Sequence, residues 1–564
     1  MAFDWEKLPC RLQRGLLAGG TGRSHLAGLA RAALSAARTV GTDPEQAGFL
    51  ARLGFELLLA AWEEDPLNGG LAEPLLTLGQ ESLTPLLREA LVWLAANWKP
   101  DARADRLHSR GDHGRLLELH ANRSQADAFV VRACVEALLV DGDPGQLPAV
   151  LGGLERRGWD GPARLLLDLV RAETRLVRRD FTVVDELERL AAVLPLPGRL
   201  ARLAHGRHGL GDPEAALRIW QNVRRAQPWN VNMLFRVRDV LLRRDGEEAE
   251  LQGECSILLY TWNKSEELEQ TLMALDATDL SNCRVVVLDN GSSDTTPEVV
   301  ARWRDKWGSQ RMASVRTDVN VGAPAARNWL LARQDVLARP WTVYLDDDAM
   351  VPRGWLGRLG AAARVMPEAR VWGCKVVDAG RPWVVQNADL HLRPDQGREQ
   401  SEPGGGRMPT LPVCDIQHQG FDLGQFDALR SCVSVTGCCH LFRTKELVKS
   451  GGFDIRYSPS QFDDLDRDLR DAETGGYAVY QGFLRVEHLK RTGAAARRGG
   501  SAAGNALGNL VKLRQAHGPR ELERLAGHEA DRILAEVRRA EKELGEGLPR
   551  GLVQEQGEGG CQRF

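Results

Sequence analysis

The sequence predicts an all-α, helical-repeat-like domain over residues 1–248, an α/β domain with a mostly parallel central sheet over 254–490, and a loop with a short helical extension over 491–564. Three observations carry this. Before residue 248, apolar residues recur at helical spacing, as in 49–62 and 126–139, and β-branched runs are few. After residue 254, short apolar runs alternate with helical segments, the pattern of parallel βαβ units. Between them, residues 243–254 are polar and read as a linker.

The breaks in the first region are short: Asp65-Pro-Leu-Asn-Gly-Gly, Asp141-Gly-Asp-Pro-Gly and Gly211-Asp-Pro. They suit antiparallel helix pairs. The stretch Gly209-Leu-Gly-Asp-Pro-Glu-Ala-Ala-Leu-Arg-Ile-Trp, followed by Ala226-Gln-Pro-Trp-Asn, resembles a tetratricopeptide-type repeat. Asp65-Pro-Leu-Asn echoes its Pro-x-Asn element. An irregular helical bundle is the alternative. No cluster of catalytic residue types falls here, so the region is expected to bind a protein partner or support the rest.

Composition narrows the function. The 564 residues are 43% hydrophobic and 27% charged, which excludes wholesale disorder. With 74 Lys+Arg against 77 Asp+Glu, the net charge is -3, which argues against a chain-wide nucleic-acid binder. The apolar run 57–62 is far short of the ~20 residues a membrane span needs, and residues 1–7 lack a secretory apolar core. Ten cysteines without a CxxC pair read as reduced thiols. The expected location is cytoplasmic, with a peripheral place at the inner face of the membrane as an option.

In the α/β region, strands are expected at 256–260, 284–288, 341–345 and 478–486, and helices at 265–275, 297–307 and 325–337. Such sheets bind ligands at the carboxyl ends of their strands. Polar residues gather there. Thr261-Trp-Asn263 follows the first strand and Asp289-Asn290-Gly-Ser-Ser-Asp294 the second. Asp289 suits a ribose or base edge, whereas Asp294 suits a helix cap. Asn320-Val-Gly322-Ala-Pro324 opens a helix whose free N–H groups suit an anion, with Arg327 one turn in. Tyr344-Leu-Asp346-Asp347-Asp348 sets three acids at a buried strand's end, where hard oxygen donors suit Mg²⁺ or Mn²⁺ together with substrate phosphates. Downstream, Gly451-Gly-Phe-Asp454 precedes Phe462-Asp463-Asp464-Leu-Asp466, acids that either complement a helix N-terminus or supply a base. The last strand ends in Glu487-His488, and the histidine suits a metal.

In order and spacing, these elements resemble the inverting glycosyltransferases of family 2, which have the GT-A fold, over about residues 254–490. The matching segments are SILLYTWN (256–263), VVVLDNGSSD (285–294), NVGAPAARN (320–328), YLDDD (344–348), GGFD (451–454), FDDLD (462–466) and VEH (486–488). The resemblance implies a Rossmann-like GT-A domain, a nucleotide-sugar donor, usually a UDP-sugar, and a divalent cation, Mn²⁺ or Mg²⁺. It makes Thr261, Asn263, Asp289, Asn290, Gly322, Arg327, Asp346 and Asp347 donor contacts. It makes Asp346 and Asp348 the DxD pair, with Asp348 the direct metal ligand of the two and His488 as a further one. Asp464 becomes the catalytic base and Asp463 its neighbour.

The chain departs from the family at three places. Tyr260 stands where Pro is usual, Trp262 replaces the common Tyr, and Asp463 replaces the expected Glu. The first two bear on which base the nucleoside pocket takes. The third leaves the base to be assigned between Asp463 and Asp464.

The implied reaction is a single displacement at the anomeric carbon, onto a hydroxyl of a glycan, lipid-linked glycan or protein acceptor. It needs a base opposite the departing diphosphate and a cation beside it. Residues 393–431, rich in Gly and Pro, are expected beside the acceptor, and the basic stretch 491–501 is expected either to close on the diphosphate or to be a solvated linker. Helices near 508–517 and 519–544 are expected to follow. Two other readings are a helical scaffold with a relic transferase domain, and a nucleotidyltransferase. Acids at all the expected places argue against the first. The second wants a Gly-rich, basic N-terminal loop that this sequence lacks.

Overall fold

A computed structural model describes residues 3–39, 43–79, 82–123, 125, 127–393, 400–401, 407–408, 410–490 and 500–546. The chain forms two compact units. One comprises Met1–Arg238, Gln419–Gly424 and Val537–Phe564; the other comprises Asp239–His418 and Gln425–Glu536.

Over residues 10–238 the first unit is built of helices, from Cys10–Ala18 to the start of Val231–Leu241. Consecutive helices pack against each other, as do Arg23–Thr39 and Pro44–Glu63, Gly69–Leu78 and Pro85–Asn97, and Pro197–Gly209 and Pro213–Ala226. The Pro-x-Asn elements have a local cause. Asn68 accepts a hydrogen bond from the Gly70 amide, and Asn230 one from the Met233 amide, so each asparagine caps the helix it precedes. In the second repeat-like pair, Asp212 caps Pro213–Ala226, and Ala216, Trp220 and Val223 point into the core. Glu63, buried at the end of its own helix, accepts from the amides of Gly198 and Arg199 and so caps a helix 135 residues away.

The second unit is the α/β fold that the sequence predicts, an α/β domain of GT-A type. Its strands are β1 (Cys255–Thr261), β2 (Cys283–Asp289), β3 (Met312–Arg316), β4 (Trp341–Leu345), β5 (Ala349–Met350), β6 (Val371–Asp378), β7 (Val385–Asn387), β8 (Gln400–Ser401), β9 (Arg407–Met408), β10 (Leu429–Cys432), β11 (Cys439–Arg443) and β12 (Ala478–His488). The main sheet runs β10-β12-β6-β11-β4-β1-β2-β3, with β5 added to β12 and β7 to β6; β8 and β9 pair separately. β4-β1-β2-β3 and β6-β12 are parallel, while β11 lies antiparallel between β4 and β6.

The central strands read as unbroken apolar runs because helices cover both faces of a parallel sheet. Ile257, Leu259, Val285, Val287, Val343 and Leu345 join one core cluster with Leu268, Leu272 and Leu275 of the helix Ser265–Asp276. Each such side chain contributes ~1.5–3 kcal/mol by leaving water.

Two expectations change. The helix expected over 325–337 is two helices, Ala323–Leu331 and Gln334–Leu337, because the chain turns extended at Arg333. The polar stretch 243–254 is also no free linker. The Ala249 amide donates to Gly357 O, Arg358 donates to Asp245 O, and the Trp341 indole donates to Gln252 O. Its backbone is bound to the helix Trp355–Val365 and to β4, and its side chains add ion pairs from Arg244 to Asp239, Glu247 to Arg364 and Glu254 to Arg339.

Of the stretch expected beside an acceptor, residues 394–399, 402–406 and 409 lie outside the described residues, and so do 491–499 of the basic stretch. The helices Gly500–Ala516 and Pro519–Glu546 follow, and Leu513, Leu522 and Leu525 share a core with Leu465 and Leu469.

A buried cluster fastens the last helix. The His391 ring lies between Glu529, 3.0 Å from Nδ1, and Asp389, 2.9 Å from Nε2, and Arg430 sits 3.1 Å from Asp389. Burial and Arg430 oppose a charged ring, but the two carboxylates outweigh them, and the His391 pKa rises above its ordinary value. A raised folded pKa gives stability that is full below the unfolded value, ~6.5, and is lost as pH rises through the folded value. Thermal unfolding followed across that window should show stability falling in the wild type, and His391→Asn should flatten the slope.

Candidate active site

The polar residues converge because parallel register places strand ends side by side. Thr261 pairs with Asp289 across β1 and β2, and Asp289 with Arg316 across β2 and β3. Both Thr261 and Asp289 are buried. Asp289 accepts from the Ser292 amide, which tightens the turn after β2, and Arg316 Nε approaches its other oxygen at 3.3 Å.

Asn263 and Asn290 shape this end of the sheet. Asn263, at φ 52, accepts from the Ser293 amide at 2.7 Å. Asn290 accepts from the Val321 amide and donates to Asn320, so it ties the β2 end to the turn before Ala323–Leu331. That turn needs Gly322. Its φ is 84, and a Cβ would meet Ser458 Oγ at 2.8 Å. Asp294, expected as a helix cap, lies one residue before the N-cap Thr295 and accepts from the amides of Thr296 and Ser265.

The triple acid leaves β4 beside the end of β12. β5 pairs antiparallel with β12 and sets His488 opposite Ala349, one residue past Asp348. His488 Nε2 is 2.8 Å from Asp348 Oδ1 and 3.9 Å from Asp346 Oδ2, and its Nδ1 is 2.8 Å from Gln386 Oε1. Lys264 Nζ donates to Asp347 at 2.7 Å and to Asp348 at 2.6 Å. Burial disfavours the Asp348 carboxylate, yet His488 and Lys264 hold its pKa well below the usual range. The same contact with Asp348 raises His488 against its own burial.

Arg327 joins the triple acid to the helix Asp463–Glu473. It is buried, donates to Asp463 at 2.5 Å, and lies 3.7 Å from Asp346. The rings of Tyr260 and Phe453 stand 5.3 and 5.1 Å from its guanidinium carbon. Asn328 clamps the Phe453 backbone from both sides, which is where Gly451-Gly-Phe-Asp enters the site.

Asp463 and Asp464 part ways at the helix start. Asp463 is buried against Arg327. Asp464 is half-buried and accepts from the Gly437 amide at 2.7 Å. Asp466 turns away, bound by Tyr457, Arg470 and His517.

Arg327 thus links Asp346 to Asp463, His488 and Lys264 meet Asp348, and Thr261 and Asp289 stand at the adjoining ends of β1 and β2. Sequence reasoning missed Lys264, Gln386 and Cys438. Lys264 directly follows Thr261-Trp-Asn263, a position that could have flagged it. Gln386 and Cys438 carry no such signal.

Among the described residues, Lys264 pairs with Asp347 and Asp348, and Arg327 with Asp463 and Asp346, and a divalent cation would improve this balance of two cations against four carboxylates. Among the described residues, Asp346, Cys438 and His488 offer donor atoms within 4.8 Å of one another and could hold a metal ion. No described helix is long and apolar enough to cross a membrane.

Residues 256–445 match the family model "Glycosyl transferase family 2". No curated protein matches the chain. Among solved structures it is similar to GalNAc-T7 with UDP, GalNAc and Mn²⁺, at 14% identity over 48% of this chain and 50% of that one, with a TM-score of 0.36. It is similar to the mannosyltransferase PcManGT from Pyrobaculum calidifontis in complex with GDP-Man and Mn²⁺, at 18% identity over 59% of this chain and 91% of that one, with a TM-score of 0.30. S. aureus TarS matches at 15% identity, 51% of this chain, 43% of its own and a TM-score of 0.31. The chain thus spans half the length of the GalNAc-T7 chain and less than half of TarS.

Proposed function

We propose that this chain, whose residues 256–445 form a family 2 glycosyltransferase domain, transfers a sugar with inversion from a nucleoside-diphosphate sugar, a UDP-sugar foremost, to a hydroxyl of a glycan, lipid-linked glycan or protein acceptor. One observation carries the proposal: Arg327 binds Asp463 and approaches Asp346, which holds the triple acid and the helix acids at a single site.

In this reading Thr261, Asn263, Asp289 and Asn290 frame the nucleoside pocket, and Gly322, with the helix start behind it, faces the diphosphate. Asp346, Asp348 and His488 would hold Mn²⁺ or Mg²⁺, and the donor set of carboxylates and imidazole fits such an ion. When bound, the cation supplies positive charge to the departing diphosphate. Asp347, paired with Lys264, keeps that ammonium at the same place, and Arg327 holds Asp463 so that the helix start is fixed. Asp464 accepts the proton of the acceptor hydroxyl at a carboxylate oxygen. Its half-buried position supports this role, since an acceptor must reach it. The helical unit, Met1–Arg238 with its appended segments, binds the acceptor or a protein partner.

Incubation with a panel of nucleotide sugars and Mn²⁺ tests the proposal. Release of the nucleoside diphosphate is expected from one donor, lost in excess chelator and lost in Asp348→Ala with the fold intact by circular dichroism. Full turnover in chelator would remove the cation from the account. Turnover of no donor, with nucleoside triphosphates consumed instead, would favour a nucleotidyltransferase.

A further inference from the structure

Cys438 stands at the cation site without a role in the reaction proposed above. It precedes β11, and the Asp346 amide donates to Cys438 O at 2.9 Å, so strand register fixes the two residues side by side. The side chain is 3% exposed. The residue packs within the core cluster of the sheet, and its sulfur lies within 4.8 Å of a donor atom of Asp346 and of one of His488.

Orientation of the neighbouring imidazole is also settled. Gln386 Nε2 donates to Lys490 O, so its Oε1 faces His488 and takes the Nδ1 proton. Nε2 is therefore the atom turned toward the acids, 2.8 Å from Asp348 and 3.9 Å from Asp346, and within 4.8 Å of the Cys438 sulfur, the arrangement by which a second polar group aims a metal-binding histidine. Lys264 meanwhile occupies the Asp347 and Asp348 carboxylates from another side. What remains facing one point is an oxygen from Asp346, a nitrogen from His488 and the sulfur of Cys438, mutually within 4.8 Å.

We infer that Cys438 is a metal ligand and that this site takes a thiophilic divalent cation, Zn²⁺ or Co²⁺, in preference to Mg²⁺. The inference rests on the cation site proposed above for Asp346, Asp348 and His488 and adds to it a soft fourth donor. Mixed Cys, His and carboxylate donors suit Zn²⁺, whereas Mg²⁺ wants oxygens. On binding, the S–H bond of Cys438 and the Nε2–H bond of His488 break, both protons pass to solvent, and the freed electron pairs of the sulfur and of Nε2 form the bonds to the cation. The Nε2 position, shared with Asp348 when no cation is bound, becomes a second bond to the ion. Asp346, partly exposed, leaves the way in open.

Titration of the full chain with Co²⁺ alone, without nucleotide, tests this by absorption. Wild type should develop a near-ultraviolet thiolate-to-cobalt charge-transfer band at one equivalent. Cys438→Ser should lose that band and bind Zn²⁺ at least ~10–100-fold more weakly, since even an outer partner of a ligand is worth that much. Cys439→Ser, altering the adjacent buried thiol, should keep the band. His488→Gln, which leaves every cysteine in place, should shift the visible bands and weaken binding, so the inference stays testable if Cys438→Ser fails to fold. No charge-transfer band in wild type, or an undiminished one in Cys438→Ser, overturns it. Because no donor is present, a cobalt–thiolate band in a protein that turns over no nucleotide sugar would uphold the site and sink only the proposed transfer.

Discussion

Asp464→Asn should lower turnover ~10²–10⁴-fold, the usual worth of a general base, or roughly 3–5 kcal/mol of barrier at about 1.36 kcal/mol per decade. The change keeps shape, and the amide oxygen can still accept from the Gly437 amide, 2.7 Å away. Besides basicity, one acceptor is lost, since the other oxygen accepts from the Leu465 amide and an amide nitrogen cannot. Affinity for UDP and for the cation should stay essentially unchanged, since the base faces the acceptor hydroxyl and not the diphosphate. Asp463→Asn should behave differently. Asp463 is buried and its carboxylate is committed to Arg327, so its loss should appear first as lower stability. Turnover measured beside UDP binding and thermal unfolding for both variants separates these roles. A dead but stable Asp463→Asn, or an Asp464→Asn that loses UDP affinity in step with rate, would assign the base to the wrong residue.

Arg327→Met should destabilise the domain by about 3–5 kcal/mol, the cost of stripping one partner from a buried ion pair. Methionine fills much of the space between Tyr260 and Phe453, so the loss is chiefly electrostatic. Asp463 and Asp346 would face each other across a desolvated gap. Their folded pKa values would rise, and protonation would relieve the repulsion, so the deficit against wild type should shrink as pH falls. Arg327→Lys should recover only part of the loss, because one ammonium cannot reproduce the planar fork that reaches both Asp463 and Gly437 O. Denaturant unfolding at two pH values reads this directly. A pH-independent deficit would mean a packing defect instead.

Much of the sheet was legible because burial on both faces writes its own pattern. β1, β2, β4 and β12 stand where their apolar runs put them, and β4 matches the expected residues 341–345. β3, β6, β10 and β11 were not seen, nor were the short β5, β7, β8 and β9. β6 is fully buried yet carries Lys375, which Asp427 neutralises, and β10 buries Arg430 and Ser431 beside Asp389 and Glu536. Compensated charges inside a strand look like surface in a single sequence. Antiparallel β11 was hidden for another reason: nothing local says that 439–443 inserts between β4 and β6.

The site divides in the same way. Residues that directly follow strands, such as Asp289 and Asp346, are visible from spacing alone. Arg327 could have been a solvated helix residue; the fold buries it between two acids. Lys264 and Cys438 reach the triple acid only through the helix start after β1 and the register of β11 with β4. The choice between Asp463 and Asp464 could not be made from an acidic first turn, because the turn that buries one and leaves the other half-exposed depends on Phe462, held at φ 70.

The central claim is that the strand-end acids, His488 and the helix acids form one donor-binding and base site. Crystals grown with UDP and Mn²⁺ test it most directly through the manganese anomalous signal. The account predicts one strong peak bounded by Asp346 and His488, in contact with the UDP diphosphate, with the uridine at the ends of β1 and β2 and Asp464 on the opposite side of the sugar position. A peak remote from these residues, or UDP bound away from Thr261 and Asp289, would contradict it.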